Sequence, residues 1–418
     1  MVSVTRYSEF RKGWPTVLSA TVGSAVSVTA LLFYSLGSLT AGLQAEFGWN
    51  RAEVSSSLLY MTVALTLSAV PLGWLLDRYG PWRIALISVP GFTLSLVLLS
   101  QFNGELIHFN LLFGLAGLLG AGTTSIVYTK AVNAAFFKSR GLALGITLTG
   151  LGAAALILPP LIVGVVQVYG WRAGFTALAV LSLIVLPFIF FRLRTTTVTA
   201  AAGPALTGKS RSEALSSRSF WIILVAFVLV GGSVPAVIPH MVPMLTDAGL
   251  TPAAAAAIAA LIGLGVIVGR LSIGFLVDRF FAPFVAAPLF LVTAAGCVLL
   301  MWGGPSVAPI AALMIGVSFG AEADLIAFLC GNYFGLKSYG FIYGLIYGVF
   351  TIAVAVGPVW AGAFFDRTGS YDGALSTVAV LLVTGSALLL TLPRYSQTGT
   401  SDLTVHHESA AESRARVN

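Results

Sequence analysis

Four ionisable side chains, Lys130, Arg270, Glu322 and Asp324, stand inside long apolar stretches of this chain. A charge in hydrocarbon costs roughly 2.5–3.5 kcal/mol on insertion scales, so such residues normally face a bundle interior or a wet cavity. Arg270 stays charged and offers a planar fork matched to a carboxylate. It can equally pair with an acidic neighbour, and Glu322 or Asp324 lies at a compatible depth. A buried acid can also take up and release a proton, which is the chemistry of proton coupling. Glu322 and Asp324 are two residues apart, about 200° around a continuous helix, so they cannot form a paired site on one face. One is expected to face a cavity and the other a neighbouring helix, and either can be the one that titrates.

The remaining polar candidates are softer. Lys130 lies about 9 Å from the end of its helix and can either reach the interface or meet a ligand. His240 falls among Pro235, Pro239 and Pro243, which suggests a bent, broken helix. It reads as a proton relay or, more simply, as a polar residue at the outer interface. Tyr339, Tyr343 and Tyr347 repeat every four residues, one position ahead of Gly340, Gly344 and Gly348. The glycines form a stripe for close helix packing. Tyr343 and Tyr347, with Tyr34 and Tyr128, are candidate cavity residues that either bond a ligand or merely pack.

The elements that position these residues are membrane helices. The chain has 418 residues, 57% hydrophobic and 9% charged, against about 25% charged in a soluble domain. Lipid must cover so much apolar surface. A bilayer core needs about 20 apolar residues per helix, and twelve stretches qualify, near 15–42, 53–76, 83–101, 107–136, 141–168, 172–192, 219–245, 252–277, 283–302, 307–334, 339–364 and 371–393. The organisation expected is a six-helix half over 1–192, a solvated linker over 193–218, a second half over 219–393 and a disordered tail over 394–418. The first apolar run is far longer than the 7–15 residues of a signal peptide, so it reads as an uncleaved helix. Basic residues gather at one set of helix ends, with Arg51, Arg172 and Arg367 on the other. That asymmetry puts both termini on the cytoplasmic side of a plasma or inner membrane.

The halves repeat one another at an offset of about 200 residues: Asp77-Arg78 answers Asp278-Arg279, Asn133 answers Asn332, Gly145 answers Gly344 and Pro160 answers Pro358. Such repeats are typical of transporters, with the site near the midplane between halves. The net charge of +7 is spread over helix ends, which gives nucleic acid no compact basic face. No phosphate-cradling loop is present, so ATP does not drive the chain directly. No nucleophile–base pair points to an enzyme. Cys297 and Cys330 are too few and too far apart for a metal site, and no cofactor is implied.

The segment Gly73-Trp-Leu-Leu-Asp77-Arg78-Tyr-Gly80-Pro-Trp-Arg83 resembles the cytoplasmic loop signature of the major facilitator superfamily, with its last basic residue one position late. Gly274 to Arg279, including Asp278, is a weaker copy. The resemblance implies an all-α membrane fold of twelve helices in two pseudo-symmetric halves, with Gly73, Asp77, Arg78, Gly80, Arg83, Asp278 and Arg279 in gating. Gly73 would permit close helix approach, and Asp77 would bond neighbouring cations or a helix N-terminus.

Phe47 to Glu53, Lys138 to Ile146, Gly150-Leu-Gly152 and Gly170-Trp171-Arg172 are similar to the monocarboxylate and oxalate–formate branch. That branch implies that Arg270 binds a substrate carboxylate. The chain departs from it at Val266, where animal members carry an aspartate, and at Tyr34-Ser35-Leu36-Gly37, where they carry a lysine. It also lacks the helix-11 lysine of the oxalate exchangers. The expectation is uptake of a small organic anion with a proton, by a protein that functions as a monomer in the lipid bilayer. An exporter of apolar or cationic compounds, an anion exchanger and a transporter-like ligand sensor are the alternatives.

Overall fold

The computed structural model describes residues 6–136, 140–192, 208–277, 279–335 and 337–394. In lipid every backbone N–H and C=O has to be satisfied within the protein, which leaves helices as the solution for an apolar chain of this kind. The first half contains α1 (Arg6–Ala25), α2 (Val28–Phe47), α3 (Arg51–Tyr79), α4 (Pro81–Ser100), α5 (Leu106–Gly120), α6 (Ser125–Ala135), α7 (Arg140–Tyr169), α8 (Trp171–Leu183) and α9 (Val185–Arg192). A short α10 (Arg211–Leu215) precedes the second half. That half holds α11 (Arg218–Val237), α12 (Met241–Asp247), α13 (Pro252–Val277), α14 (Ala282–Gly303), α15 (Ala308–Phe319), α16 (Glu322–Phe334), α17 (Tyr339–Thr368) and α18 (Asp372–Leu390).

These pieces assemble into twelve crossings, because several crossings are broken. Eleven segments are long and apolar enough to span a membrane among the described residues. The twelfth crossing is α3, 29 residues long and therefore about 44 Å. Arg6 and Leu390 lie on one face of the bundle, called here the terminal face; the other is the distal face. Large apolar side chains such as Leu67, Ile87 and Val168 are exposed on the outside, as expected where hydrocarbon is the solvent.

Local chemistry sets the helix ends. Asn50 and Glu53 form a reciprocal capping box at the start of α3. The break between α1 and α2 comes at Ser27, whose hydroxyl caps Ala30 N–H at 3.3 Å. Val28 N–H donates to Thr123 Oγ1 at 3.0 Å, in the 3₁₀ turn that separates α5 from α6. The breaks in the first and fourth crossings are thus stitched together by a hydroxyl. The seventh crossing breaks at a 3₁₀ turn over Ile238–His240, and the tenth at Gly320–Ala321. The first and fourth crossings of each half are broken at these points, and the sixth is interrupted at Ile184, between α8 and α9.

One expected segment differs. Residues 193–207 of the linker and 395–418 of the tail lie outside the described residues, but 208–217 is docked and folded. Lys209 N–H donates to Phe334 O at 2.8 Å, Ser210 and Glu213 cap α10 reciprocally, and Ala214 is fully buried. A capped turn with a buried alanine is anchored to the terminal end of α16, so this part of the linker is not freely solvated.

The halves meet chiefly through α7 against α13 and α3 against α17. Gly152 and Gly263 let the first pair cross with backbones touching: a Cβ on Gly263 would sit 2.5 Å from Gly152 O. Gly348, by contrast, has no heavy atom near its Cβ position. Gly263→Ala is expected to lower stability by about 1–3 kcal/mol, the usual cost of overpacking. Gly348→Ala is expected not to lower it, since alanine favours helix. Thermal unfolding of the purified protein in detergent checks the contrast.

Candidate functional site

The break at Gly320–Ala321 changes the setting of the two acids and leaves their spacing around the helix as it was. Glu322 and Asp324 both stand in the first turn of α16, where the helix dipole favours negative charge. Asp324 faces α13: its Oδ2 lies 3.3 Å from Arg270 Nη1. Arg270 is 10% exposed and Asp324 43%, so the pair is buried on the arginine side and open on the other. Glu322 is 2% exposed. Its Oε1 and Arg270 Nε are buried without a hydrogen-bond partner among the described residues.

Other elements complete this cluster. From the first half, α2 carries Tyr34 to within electrostatic reach of Arg270 and Glu322. From α17, Tyr347 lies within the same reach of Arg270, Asp324 and Glu322. Tyr343 stacks on Tyr347, with centroids 5.3 Å apart and rings 14° from parallel. Towards the distal face the cluster is roofed by aromatics from both halves. Phe33 stacks on Phe319 at 5.7 Å, and Tyr34 meets the edges of both. Arg270, Glu322, Asp324, Tyr34, Tyr343 and Tyr347 are therefore brought together at mid-depth.

Three candidates sit elsewhere. Tyr128 is fully buried in a separate apolar cluster of the first half with Val17, Val132 and Phe136. Its ring fills the space beside Gly23, so packing, rather than a cavity wall, accounts for its position. Lys130 is half-buried on α6. His240, expected at an outer interface, is instead buried between the halves, 3% exposed. The 3₁₀ turn carries its ring inward, where Nε2 meets Pro358 O at 2.8 Å and Nδ1 meets Tyr371 Oη at 3.0 Å.

On the distal face the halves are tied by Arg51, which the sequence places among the few cations at those helix ends and within a family-like segment but not in any site. Its Nη2 pairs with Asp247 Oδ2 at 2.6 Å, and Nη1 donates to Tyr371 Oη at 2.8 Å. The N–H groups of Arg51 and Ala52 donate to Asp366 at 3.1 and 2.9 Å, an acid at a helix N-terminus. The guanidinium also lies 4.0 Å over the Phe365 ring. The signal available in the sequence was that Arg51 is one of few cations at the distal helix ends.

The terminal face looks different. Among the described residues nothing approaches the Cβ positions of Gly73, Gly145, Gly344 or Gly348, so the close packing expected of Gly73, and of Gly344 and Gly348 in the α17 stripe, is absent there. The polar ties between the halves through Arg51 lie at the distal face. In the loop between α3 and α4, Gly80 takes φ +79° and its N–H bonds Leu76 O. Arg78 packs on Trp74, Arg83 on Trp82 and Arg279 on Phe275. The side chain of Asp77 and all of Asp278 lie outside the described residues.

Twelve crossings in two repeated halves, tied at the distal face above a buried charge cluster, fit the architecture of alternating access. The family model for the Major Facilitator Superfamily matches residues 22–358. The chain belongs to that superfamily. It is a transporter of this fold and not an enzyme. It is similar to monocarboxylate transporter 11 of Homo sapiens, 27% identical over 91% of this chain and 83% of that protein. Monocarboxylate transporter 13 of Bos taurus is also 27% identical, over 92% of this chain and 90% of its own. An Aspergillus flavus MFS transporter, asaE, is 23% identical over 83% of each.

The two acids differ in what they satisfy, and stability should report it. Asp324→Asn removes the carboxylate that faces Arg270 and is expected to lower stability by about 1 kcal/mol, the scale of a partly exposed ion pair. Glu322→Gln replaces an acid whose Oε1 has no partner and is expected not to lower it. Unfolding midpoints of both variants against the parent decide the order.

Proposed function

We propose that this protein takes up a small organic anion, most simply a monocarboxylate, together with a proton. Arg270 holds the carboxylate, and Glu322 or Asp324 carries the proton. The observation that supports this reading is the Arg270–Asp324 contact beside two buried polar atoms without partners. At 3.3 Å and through one nitrogen, the pair uses little of a guanidinium that can make two parallel bonds to a carboxylate. A cargo carboxylate can therefore displace Asp324, and a proton on Asp324 would release Arg270 before the cargo arrives. Proton and anion then enter together without net charge crossing the apolar core.

Tyr34, Tyr343 and Tyr347 supply hydroxyls and aromatic surface around the anion. Tyr128, Lys130 and His240 are outside the cargo contact in this reading. The aromatic roof of Phe33 and Phe319 joins the two halves and closes the distal route over a bound cargo. The loop residues Gly73, Asp77, Arg78, Gly80 and Arg83, with Asp278 and Arg279, meet across the terminal face when that side closes, where open space at Gly73 and Gly348 leaves room for it. We place the terminal face in the cytoplasm of a plasma or inner membrane, in keeping with the basic residues at those helix ends. The protein works as a monomer, since one chain provides both halves. The named relatives support a carboxylate cargo.

The test is internal pH in proteoliposomes, followed as monocarboxylates, dicarboxylates and aromatic acids are added outside. Saturable acidification by monocarboxylates is expected, and Arg270→Ala should abolish it while leaving a folded protein. Asp324→Asn should retain cargo exchange and lose net proton-coupled uptake. Unchanged acidification by Arg270→Ala would remove the anion role, and competition by apolar cations alone would make the protein an exporter of such compounds.

A further inference from the structure

We propose that His240 is a second proton site, separate from the cargo cluster, and that a proton bound there unlatches the distal face. The hydrogen-bond chain around the ring carries the argument. Pro358 O can only accept, so His240 Nε2, 2.8 Å away, must carry a hydrogen. In a neutral imidazole that leaves Nδ1 bare, and it accepts the Tyr371 O–H at 3.0 Å. The Tyr371 oxygen in turn accepts Arg51 Nη1–H at 2.8 Å. Every hydrogen in the relay from Arg51 through Tyr371 and His240 to Pro358 points the same way, and the chain closes only with a neutral histidine. It joins α3 of the first half to α18, the 3₁₀ turn and α17 of the second.

A proton on Nδ1 breaks this order. Nδ1–H and Arg51 Nη1–H would then both aim at one phenolic oxygen, and the Tyr371 hydrogen would lose its acceptor. Two cations would share a single neutral bridge inside the protein, where charge is weakly screened. The surrounding groups do not supply a free counter-ion. On α12, Asp247 is already paired with Arg51 Nη2. On α17, Asp366 is already bonded to the N–H groups of Arg51 and Ala52, and Arg367 adds positive charge beside it. On α3, Glu53 is held in its capping box and Ser55 Oγ stands 3.5 Å from Nε2. On α18, Asp372 follows Tyr371 and is exposed. On α2, Glu46 is taken by Arg172 at 2.6 Å and Tyr34 belongs to the cargo cluster; α11 brings only Arg218, at its opposite end.

The sign follows from the linkage between proton binding and conformation. A latched face favours the neutral ring and a parted face lets the charged ring meet water, so acid on the distal side favours opening. With the distal face outside, as proposed above, an inward proton gradient would open the transporter to the medium from which it draws cargo. The site is thus a gate sensor, and its proton need not travel with the cargo.

The experiment reads the gate directly and does not depend on cargo or orientation. Asn103 and Ser306 are exposed on corresponding distal loops of the two halves. Asn103→Cys and Ser306→Cys, in a background with Cys297→Ala and Cys330→Ala, take a spin-label pair whose distance is measured in nanodiscs. Acidification from about pH 7.5 to about pH 5.5 should move the population to the longer distance, by up to about tenfold per pH unit for one proton. His240→Gln can donate to Pro358 and accept from Tyr371, but cannot take the proton. It should hold the short distance at both values. Tyr371→Phe removes the bridging oxygen and should show the long distance already at about pH 7.5, a readout that survives if His240→Gln proves unstable. Glu322→Gln should keep the parent's acid response. A parent that does not respond, or a His240→Gln protein that responds as the parent does, overturns the proposal. A response lost in Glu322→Gln but kept in His240→Gln would overturn it too, and would leave the cargo-site reading standing.

Discussion

A guanidinium inside a bilayer protein must find partners, and that requirement organises the centre of this molecule. Arg270 cannot shed its charge, so the cost of holding it at mid-depth has to be offset by acids and dipoles arranged around it. The tenth crossing breaks at Gly320–Ala321, and the break supplies both. It creates a helix N-terminus inside the membrane and places Glu322 and Asp324 on it. A continuous helix would have neither the unpaired N–H groups nor the local dipole that make two acids tolerable there. The broken backbone is admissible because α13 and its neighbours shield it from lipid, with Val266 O packed against Gly320.

A charge cluster that can be rearranged is useful only if access to it alternates. The structure divides its inter-half contacts by depth. Polar ties through Arg51, Asp247, Asp366 and Tyr371 close the distal face, and the Phe33–Phe319 stack closes the layer below. At mid-depth Gly152 and Gly263 bring α7 and α13 into backbone contact, which gives the halves a pivot. Towards the terminal face, Gly73, Gly145, Gly344 and Gly348 have open space at their Cβ positions among the described residues. Motion about such a pivot exchanges one closed face for the other. Small residues on the open side suit it, since they permit approach without a fixed interlock.

Much of this was legible in the sequence because membranes simplify the reading. Twelve apolar stretches, the half repeat and the isolated charges follow from lengths and periodicities that lipid enforces. Arg270 and Asp324 could be singled out because a charge in such a setting has few alternatives. The helix breaks were harder. Three prolines flagged the one near His240, but the breaks at Ser27 and Gly120–Thr123 contain none. They exist because a hydroxyl from one broken crossing satisfies the backbone of another, as Thr123 does for Val28. Ser27 is a local cap, but the bond between the two breaks is a tertiary fact. The angular argument about Glu322 and Asp324 kept its spacing and lost its context, since it assumed an unbroken helix through Gly320.

His240 shows the same limit at a single residue. Its neighbours in sequence are prolines and apolar side chains, which suit an interfacial position as well as a buried one. What buries it is the turn at Ile238–His240, pressed against α2 where Pro239 O packs on Gly37, and what satisfies it comes from residues 118 and 131 positions away. A polar ring can be carried into an inter-half seam only if both nitrogens find partners there. The seam meets that demand with one carbonyl and one phenol, a donor–acceptor set that admits the neutral ring and leaves a second proton without an acceptor. The constraint that keeps Arg270 paired at the centre thus recurs at the latch with the opposite outcome: the centre is built around a permanent charge, and the seam around the absence of one.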